Sequence, residues 1–177
     1  MTFHETNLAG VLEVLLELNI DERGFFARSW CEKEFGDHGL TTKVVQSNIS
    51  QNRRRGTLRG IHYQASPFEE TKVVRCIAGA IYDVAVDLRK DSPTFKQWYG
   101  AELSAENRKS LYIPKGCGHG FLTLADETEV LYLMSDLYNP EAARGVRWDD
   151  PAFQIDWPGE VQVISERDRT YGDFETR

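Results

Sequence analysis

The chain has 177 residues, a net charge of −7 and 41% hydrophobic residues. A chain of this length can bury roughly 70% of its unfolded surface, so we expect a single domain over residues 1–177 that folds without a metal or a disulfide. The negative charge argues against nucleic acid as a partner, and no apolar run is long enough to span a membrane. Three cysteines without metal-binding spacing, Cys31, Cys76 and Cys117, predict reduced thiols in a cytoplasmic protein.

The first part of the chain predicts one short helix before strands take over. Residues 29–35 have a helical pattern that Gly36 and Gly39 would end. From about Lys43 the pattern changes to strands. Residues 81–88 alternate with a period of two, which is typical of a strand.

The second half of the chain contains further strand and turn signals. Residues 111–113 predict a strand that ends at Pro114. Residues 120–124 and 129–134 flank the polar turn 125–128, which predicts a hairpin, and Ser104 could cap one helical turn over residues 104–109. Many short strands and few helices predict an all-β sandwich or barrel. No glycine-rich loop precedes a helix, which argues against a dinucleotide-binding fold.

The densest cluster of candidate functional residues is Gly-Thr-Leu-Arg-Gly-Ile-His-Tyr-Gln at residues 56–64, followed by Lys72. An imidazole near two cations suggests a site that removes a proton and stabilises negative charge. Alternatively, His62 is a core histidine whose ring is hydrogen-bonded to a neighbour. Arg59 and His62 face opposite sides of a regular strand, so both can border one cavity only if the strand twists or bulges near Gly60.

Four other segments have a functional and a structural interpretation. His119 follows a glycine-rich loop and could donate to a phosphate, or it could face solvent on a turn. Tyr132 and Tyr138 could be packing residues whose hydroxyls reach the rim of a site. Asp168, in a charged run, could orient a histidine or belong to a solvated tail. The run Arg53-Arg54-Arg55 could be an exposed loop or a rim that attracts an anionic substrate.

The metal motifs of the cupins are only half present. Pro114, Gly116 and His119 resemble the second motif, but the first requires His-x-His and this chain has His62-Tyr63-Gln64. Two imidazoles without a third ligand make a poor metal site. We therefore predict that the protein uses no metal.

Motifs along most of the chain match one protein family in order. They are Asp21-Glu22-Arg23-Gly24-Phe25-Phe26, Gln46-x-Asn48, Leu58-Arg59-Gly60-Ile61-His62-Tyr63-Gln64, Asp83-Val84-Ala85-Val86-Asp87-Leu88-Arg89, Ser92-Pro93-Thr94-Phe95, Leu103-Ser104-Ala105-Glu106-Asn107, Tyr112-Ile113-Pro114, Gly118-His119-Gly120-Phe121, Arg147-Trp148-Asp149-Asp150-Pro151 and Ser165-Glu166-x-Asp168. With these motifs the chain resembles the cupin-fold nucleotide-sugar epimerases typified by dTDP-4-dehydrorhamnose 3,5-epimerase.

The resemblance implies a homodimeric β jelly roll that needs no metal or cofactor. Its substrate would be a nucleotide-diphosphate 4-keto-6-deoxysugar, epimerised at C3 and C5 for surface polysaccharides such as O-antigen. The catalytic residues implied are His62 as general base, Asp168 as its carboxylate partner, Lys72 as enolate stabiliser and Tyr132 as acid. The substrate-binding residues implied are Arg23, Gln46, Asn48, Arg59, His119, Tyr138 and Arg167.

Three positions on the nucleotide side depart from the thymidine-type pattern of the family. Arg28 and Ala143 stand where glutamates are usual, and Arg167 stands where a lysine is usual. These departures affect the expected choice of nucleotide base, thymine or another, more than they affect the expected reaction. The alternatives are an epimerase that inverts only C3 or C5 of a CDP-, UDP- or GDP-linked sugar, a metal-dependent cupin, and a cupin that binds sugar nucleotides without catalysis.

Overall fold

The computed structural model describes residues 1–174, which form two facing β-sheets, a separate β-hairpin and two short helices. The strands are β1 (Thr2–Glu5), β2 (Leu12–Leu15), β3 (Asn19–Asp21), β4 (Gly24–Phe26), β5 (Gln46–Asn52), β6 (Thr57–Gln64), β7 (Lys72–Ala78), β8 (Ala80–Asp87), β9 (Trp98–Ser104), β10 (Ser110–Ile113), β11 (Cys117–Thr123), β12 (Thr128–Met134), β13 (Ala143–Gly145) and β14 (Val163–Ile164). The helices are α1 (Glu32–Asp37) and α2 (Glu166–Arg169).

The two sheets are built from strands that are far apart in the sequence. The first sheet has the order β1-β2-β10-β7-β12-β5, and all its neighbouring strands are antiparallel. The second has the order β13-β6-β11-β8-β9, and β14 adds to β6 as a parallel strand. Strands β3 and β4 form the separate hairpin. The predicted all-β jelly roll with a few short helices is confirmed.

Apolar side chains fill the space between the sheets and also cover the outer face of the second sheet. Val74 and Val130 of the first sheet pack with Ile81 and Phe121 of the second in one core cluster. On the outer face of the second sheet, a further cluster joins three buried residues, Ile61, Val84 and Val86, with Val146 and Phe153 from the segment that follows β13. Strand β8 is therefore buried on both faces, and the predicted strand over residues 81–88 is confirmed.

The predicted helix forms, but three residues later than expected at its start. Helix α1 covers Glu32–Asp37, so Gly36 lies inside the helix and does not end it. The helix ends before Gly39, which has a φ of 70°. The Leu40 amide donates to the Phe35 carbonyl, and the Gly39 amide donates to the Gly36 carbonyl, so a left-handed glycine satisfies the last carbonyls.

The predicted hairpin over residues 120–134 is wrong. Strand β11 pairs with β6 and β8 in the second sheet, whereas β12 pairs with β5 and β7 in the first. The polar turn between them is a corner at which the chain passes from one sheet to the other. A turn signal specifies where a strand ends, but the packing of the two sheets decides which strand becomes its neighbour.

Two further sequence predictions have clear outcomes. Strands β1 to β4 precede Lys43, where the sequence pattern did not indicate strands. Ser104 caps a single turn as predicted, because its Oγ accepts from the Asn107 amide at 3.0 Å while Asn107 Oδ1 accepts from the Ser104 amide. Among the helices within residues 1–174, none is both long and apolar enough to cross a membrane.

Candidate active site

A cavity of about 660 Å³ lies between the two sheets and is closed on one side by β14 and α2. It gathers most of the candidate residues named from the sequence. Those that line it are His62, Lys72, Tyr132, Asp168, Arg59, His119, Asn48 and Arg167. Three candidates, Arg23, Gln46 and Tyr138, do not line this cavity.

A bulge in β6 brings Arg59 and His62 to the same cavity. His62 lies opposite His119 on β11, and Arg59 lies opposite Phe121, so two residues of β6 face the single residue Gly120. The ideal Cβ of a residue other than glycine at position 60 would lie 2.5 Å from the Gly120 Cα, so this approach requires glycine. The bulge that the sequence left open is therefore present, and Ile61 is buried away from the cavity.

The His62 imidazole is hydrogen-bonded to a buried carboxylate. Its Nε2 lies 2.6 Å from Asp168 Oδ1, and the Gly60 amide donates to Asp168 Oδ2 at 3.2 Å. Burial alone would raise the pKa of Asp168, but hydrogen bonds from His62 and Gly60 lower that pKa below its ordinary value. Because Asp168 accepts at Nε2, Nδ1 is the nitrogen left to act as a base.

Helix α2 positions Asp168 at this imidazole. Ser165 caps the helix, and its Oγ accepts from the Asp168 amide at 3.1 Å. Strand β14, just before the helix, pairs in parallel with β6 next to the bulge. Residues 163–168 therefore belong to the wall of the cavity, and the solvated-tail interpretation of this run is wrong for Asp168.

The Lys72 ammonium is buried at the cavity and held by two oxygens. Nζ donates to the His62 carbonyl at 3.1 Å and lies 3.1 Å from Glu70 Oε1. Both side chains of this ion pair are buried. The second oxygen of Glu70, Oε2, has no hydrogen-bond partner among the described residues. The ion pair therefore keeps a positive charge beside His62.

His119 forms a second imidazole–carboxylate pair in the cavity wall. Its Nε2 lies 2.7 Å from Asp83 Oδ1, and both side chains are buried. The ring meets Tyr132 edge to face, with 6.0 Å between the ring centroids. His119 is thus part of the cavity wall, and the interpretation of it as a solvent-facing turn residue is wrong.

Tyr132 projects into the cavity from the first sheet, opposite the histidines. Burial raises the pKa of its phenol well above the ordinary value, although a hydrogen bond with Ser50 acts in the other direction. The Tyr132 hydroxyl lies 3.1 Å from Ser50 Oγ. The phenol is therefore protonated at neutral pH and available as a proton donor.

Arg59 is oriented by neutral oxygens and is available to an anion. Its Nε donates to Asn52 Oδ1 at 2.7 Å, and its terminal nitrogen donates to the Gln51 carbonyl. Arg53 and Arg54 line an adjoining cavity of about 630 Å³ that shares Arg59 with the first. A guanidinium whose partners carry no charge keeps its full attraction for a phosphate.

Two of the other candidates, Gln46 and Tyr138, contact residues that line the cavity. Gln46 Oε1 accepts from the Tyr138 amide at 2.8 Å, and Gln46 Nε2 approaches Asn48 Oδ1 at 3.5 Å. The exposed Tyr138 is the main cause of the raised pKa of Arg167, which lines the cavity. Gln46 and Tyr138 therefore connect to the cavity through Asn48 and Arg167.

Arg23 and two of the positions that depart from the family pattern lie apart from the cavity. Arg23 is at the turn between β3 and β4, where it pairs with Asp21 and is 84% exposed. Arg28 pairs with Glu34 at 2.8 Å, and Ala143 on β13 lies opposite Gln64. None of these three positions reaches the cavity within one chain.

His62 and His119 lie on neighbouring strands, and each contacts its own carboxylate. Within residues 1–174, no group of three or more histidine, cysteine, aspartate or glutamate side chains is arranged to hold a metal ion. The absence of a catalytic metal stays a prediction.

Four supporting residues were not identified from the sequence. They are Ser50, Asn52, Glu70 and Asp83, which contact Tyr132, Arg59, Lys72 and His119 respectively. Only Asp83 carried a signal, since it is a charged residue on the alternating face of a buried strand. Ser50 and Asn52 reach their partners from a different strand, and Glu70 pairs with Lys72 because both side chains are buried, none of which the sequence pattern specifies.

Comparison with known proteins identifies the family. Residues 5–176 match the family model described as dTDP-4-dehydrorhamnose 3,5-epimerase. The chain is 46% identical to a dTDP-4-dehydrorhamnose 3,5-epimerase of Methanothermobacter thermautotrophicus, over 96% of this chain and 92% of that one.

Solved structures agree with the sequence comparison. A dTDP-4-dehydrorhamnose 3,5-epimerase of Bacillus anthracis, with TDP and PPi bound, has a TM-score of 0.94 and 42% identity over 98% of this chain and 99% of that one. The epimerase of Legionella pneumophila in complex with dTDP-4-keto-L-rhamnose has a TM-score of 0.89 and 40% identity over 94% and 89%. This chain belongs to the dTDP-4-dehydrorhamnose 3,5-epimerase family.

Proposed function

We propose that the protein epimerises C3 and C5 of a nucleotide-diphospho-4-keto-6-deoxysugar, with dTDP-4-dehydrorhamnose chemistry as in its relatives. The observation that carries the proposal is the cavity itself. The imidazole–carboxylate pair of His62 and Asp168 faces the Tyr132 phenol across it, with the Lys72 ammonium beside the base. Such an arrangement suits removal of a proton next to a ketone.

His62 removes the proton. A ketone at C4 acidifies the hydrogens at C3 and C5, because each carbanion is stabilised as an enolate. Nδ1 of His62 accepts the proton while Nε2–H stays bonded to Asp168, and the ionised carboxylate stabilises the imidazolium that forms. Asp168 keeps the ring in the tautomer that the reaction requires.

Lys72 stabilises the enolate. Negative charge develops on the C4 oxygen as the proton leaves, and an ammonium fixed in a buried site stabilises that charge without reorganising. A preorganised donor of this kind contributes about 3–4 kcal/mol to the transition state. Glu70 and the His62 carbonyl hold Nζ in place, so the donor is oriented before substrate binds.

Tyr132 returns a proton to the opposite side of the ring. His62 comes from β6 in the second sheet and Tyr132 from β12 in the first, so a sugar between them meets the base on one face and the acid on the other. Inversion needs this separation, since a proton returned by His62 would restore the starting configuration. The buried walls limit access of water to the enolate.

Arg59 and His119 bind the diphosphate in this proposal, and Asn48, Gln46, Arg167 and Tyr138 contact the sugar or the nucleotide. Arg59 lacks a charged partner within residues 1–174, which suits a phosphate ligand. Relatives crystallised with TDP and PPi, or with dTDP-4-keto-L-rhamnose, support a nucleotide-sugar ligand.

We further propose that the chain acts as one cofactor-independent domain in a cytoplasmic homodimer. The hairpin β3–β4 exposes Ile20 and Phe26, and the edge strand β5 exposes Ile49. Apolar side chains at these positions would be buried by a second copy. If Arg23 binds substrate, it would do so in the partner's cavity. The three cysteines form no disulfide within the described residues, in keeping with a reducing compartment.

The test is isotope exchange. The protein is incubated with dTDP-4-keto-6-deoxyglucose in D₂O, and C3 and C5 are followed by NMR. We expect deuterium at both carbons and accumulation of the rhamno-configured product. Deuterium at one carbon would identify a single-site epimerase, and no exchange with the dTDP, UDP, CDP or GDP forms would reject the proposal.

A further inference from the structure

The His62 imidazole has an aromatic neighbour outside the cavity, the ring of Tyr171. The two ring centroids are 6.3 Å apart and the ring planes meet at 73°, so the rings meet edge to face. Tyr171 is half-buried and does not line the cavity. It therefore contacts the proposed base from the wall and not from the space that a substrate would occupy.

The register of the second sheet leaves a slot for this ring. Gly145 on β13 and His119 on β11 both lie opposite His62, so all three positions face the cavity side of the sheet. Gly145 has no side chain, and the Tyr171 ring fills the space that one would occupy. An ideal Cβ at position 145 would lie 2.2 Å from Tyr171 Cε2 and 2.3 Å from its Cζ. The ring can lie beside the imidazole in this way only because residue 145 is glycine.

The segment around helix α2 supplies both groups that contact the imidazole. Asp168 lies within the helix, and Tyr171 follows three residues later, just after the helix ends. Thr170 fixes that end, because its amide and its hydroxyl both donate to the Glu166 carbonyl, at 3.1 and 2.8 Å. The carboxylate and the ring are therefore held by one short segment and reach His62 together.

Tyr171 makes its contacts through the ring. The hydroxyl oxygen is buried and lacks a hydrogen-bond partner of good geometry among residues 1–174. The guanidinium carbon of Arg167 lies 5.9 Å from the ring centroid, so the ring contacts a cation as well as the His62 imidazole. The shape of the ring is thus the property to test, and the hydroxyl can be removed separately.

We propose that Tyr171 is a positioning residue that holds the His62 imidazole in the orientation that presents Nδ1 to the cavity. This inference rests on the proposed epimerase function. The hydrogen bond between Nε2 and Asp168 fixes one atom of the ring, but 42% of the His62 side chain is exposed, which leaves the ring room to tilt about that contact. The Tyr171 ring closes the side toward β13 and limits the tilt. Because proton abstraction depends on the placement of the base, a looser ring lowers the rate at both carbons.

The experiment compares Tyr171→Ala, which removes the ring, with Tyr171→Phe, which keeps the ring and deletes only the hydroxyl. Deuterium uptake at C3 and C5 is measured by NMR over a range of dTDP-4-keto-6-deoxyglucose concentrations, and rates are normalised to the folded fraction from near-UV circular dichroism. We expect Tyr171→Ala to lower kcat about tenfold at both carbons. KM should stay within about twofold, because Tyr171 does not line the cavity, and Tyr171→Phe should match the wild type.

A second variant displaces the ring without altering it. Gly145→Ala places a methyl group against Tyr171 Cε2 and should lower kcat as Tyr171→Ala does. Gly172→Ala, next to Tyr171, is the matched control, since its added Cβ would meet nothing within 4 Å. In the Tyr171→Ala background, Gly145→Ala should cause no further loss, because the ring through which it acts is gone. Full additivity of the two substitutions would overturn the proposal.

The motion of the His62 ring separates positioning from a purely structural role. The chain has four histidines, so carbon-13 relaxation of each imidazole can be followed by NMR. We expect greater motion of the His62 ring in Tyr171→Ala and Gly145→Ala and no change in Tyr171→Phe, with His119 as the internal reference. Equal kcat in Tyr171→Ala and Tyr171→Phe, or a lower kcat with an equally rigid His62 ring, would overturn the proposal. Absence of any exchange in the wild type would instead reject the epimerase function.

Discussion

The two sheets face the same cavity with different chemistry. The second sheet supplies two imidazoles, His62 and His119, each bonded to a carboxylate, and its outer face is covered by the segment after β13. The first sheet supplies the Tyr132 phenol, whose partner is a neutral hydroxyl on an edge strand. A carboxylate prepares an imidazole to accept a proton, whereas a buried phenol stays protonated. The fold thus places the proposed base and the proposed acid on opposite sheets.

Removal of the base should have the largest effect. We expect His62→Asn to reduce deuterium uptake at both C3 and C5 by about 10³-fold or more, because a proton must leave before either carbon can invert. NMR exchange in D₂O measures both. His4→Asn is the matched control, since His4 is exposed on β1 and its ring is hydrogen-bonded to Thr2. Uptake in His62→Asn within about tenfold of the wild type would contradict the assigned base.

Removal of the acid should impair inversion more than it impairs proton removal. Tyr132→Phe deletes the phenol oxygen and keeps the ring, so we expect C5 inversion to fall about 10²-fold while C3 still takes up deuterium. Tyr63→Phe, on the opposite face of β6 in the outer cluster, should behave like the wild type. If Tyr132→Phe lost exchange at both carbons equally, the division between the sheets would be wrong.

The carboxylate beneath the base should matter less than the base itself. Asp168→Asn keeps the shape but no longer stabilises the imidazolium, and we expect the exchange rate to fall about 10²-fold at both carbons. The exposed Asp91→Asn is the control. Measured rates that match the control would show that Asp168 only supports the fold.

Stability gives a second measurement on the same variant. The pKa of Asp168 in the folded protein is below its ordinary value of 3.8. Its carboxylate therefore stabilises the fold above that ordinary value, and the contribution disappears as pH falls through the lowered pKa. Urea unfolding should show wild type and Asp168→Asn converging in stability below about pH 4. If the stability difference between the two proteins widened in acid, the pKa of Asp168 would not be lowered by folding.

The smallest expected effect concerns the mouth of the cavity. Arg53 and Arg54 line the adjoining cavity that shares Arg59 with the main cavity. Arg55 lines a separate cavity. We expect Arg53→Gln with Arg54→Gln to lower kcat/KM about fivefold at low salt, and the difference to vanish at high salt, because the arginines attract an anionic substrate. Arg55→Gln removes one charge from the same loop. If it lowered kcat/KM by as much per charge removed as the double variant does, steering would reflect net charge and not the position of Arg53 and Arg54.

Local sequence patterns predicted where individual strands lie better than they predicted which strands pair. The alternation over residues 81–88 identified β8, because both of its faces pack against apolar layers. The hairpin over residues 120–134 failed because the chain crosses between sheets at residues 125–128. Helix α1 began later than predicted, and Gly39 rather than Gly36 ended it.

The candidate site was also predicted only in part from the sequence. The family motifs named His62, Lys72, Tyr132 and Asp168, which the structure brings to one cavity. Glu70, Asp83, Asn52 and Ser50 were missed because each contacts its partner through strand pairing or burial. Arg23 was named from its motif, but it lies outside the cavity of its own chain.

The order of residues alone determined the all-β character, the family and the residue types needed for enolate chemistry, since these depend on composition, periodicity and motif. Only the tertiary structure decided that Arg59 and His62 share a cavity, because the bulge at Gly60 reverses the side to which one of them points. It also decided that the His62 imidazole and the Tyr132 phenol face each other, because they belong to sheets that meet through packing of the core.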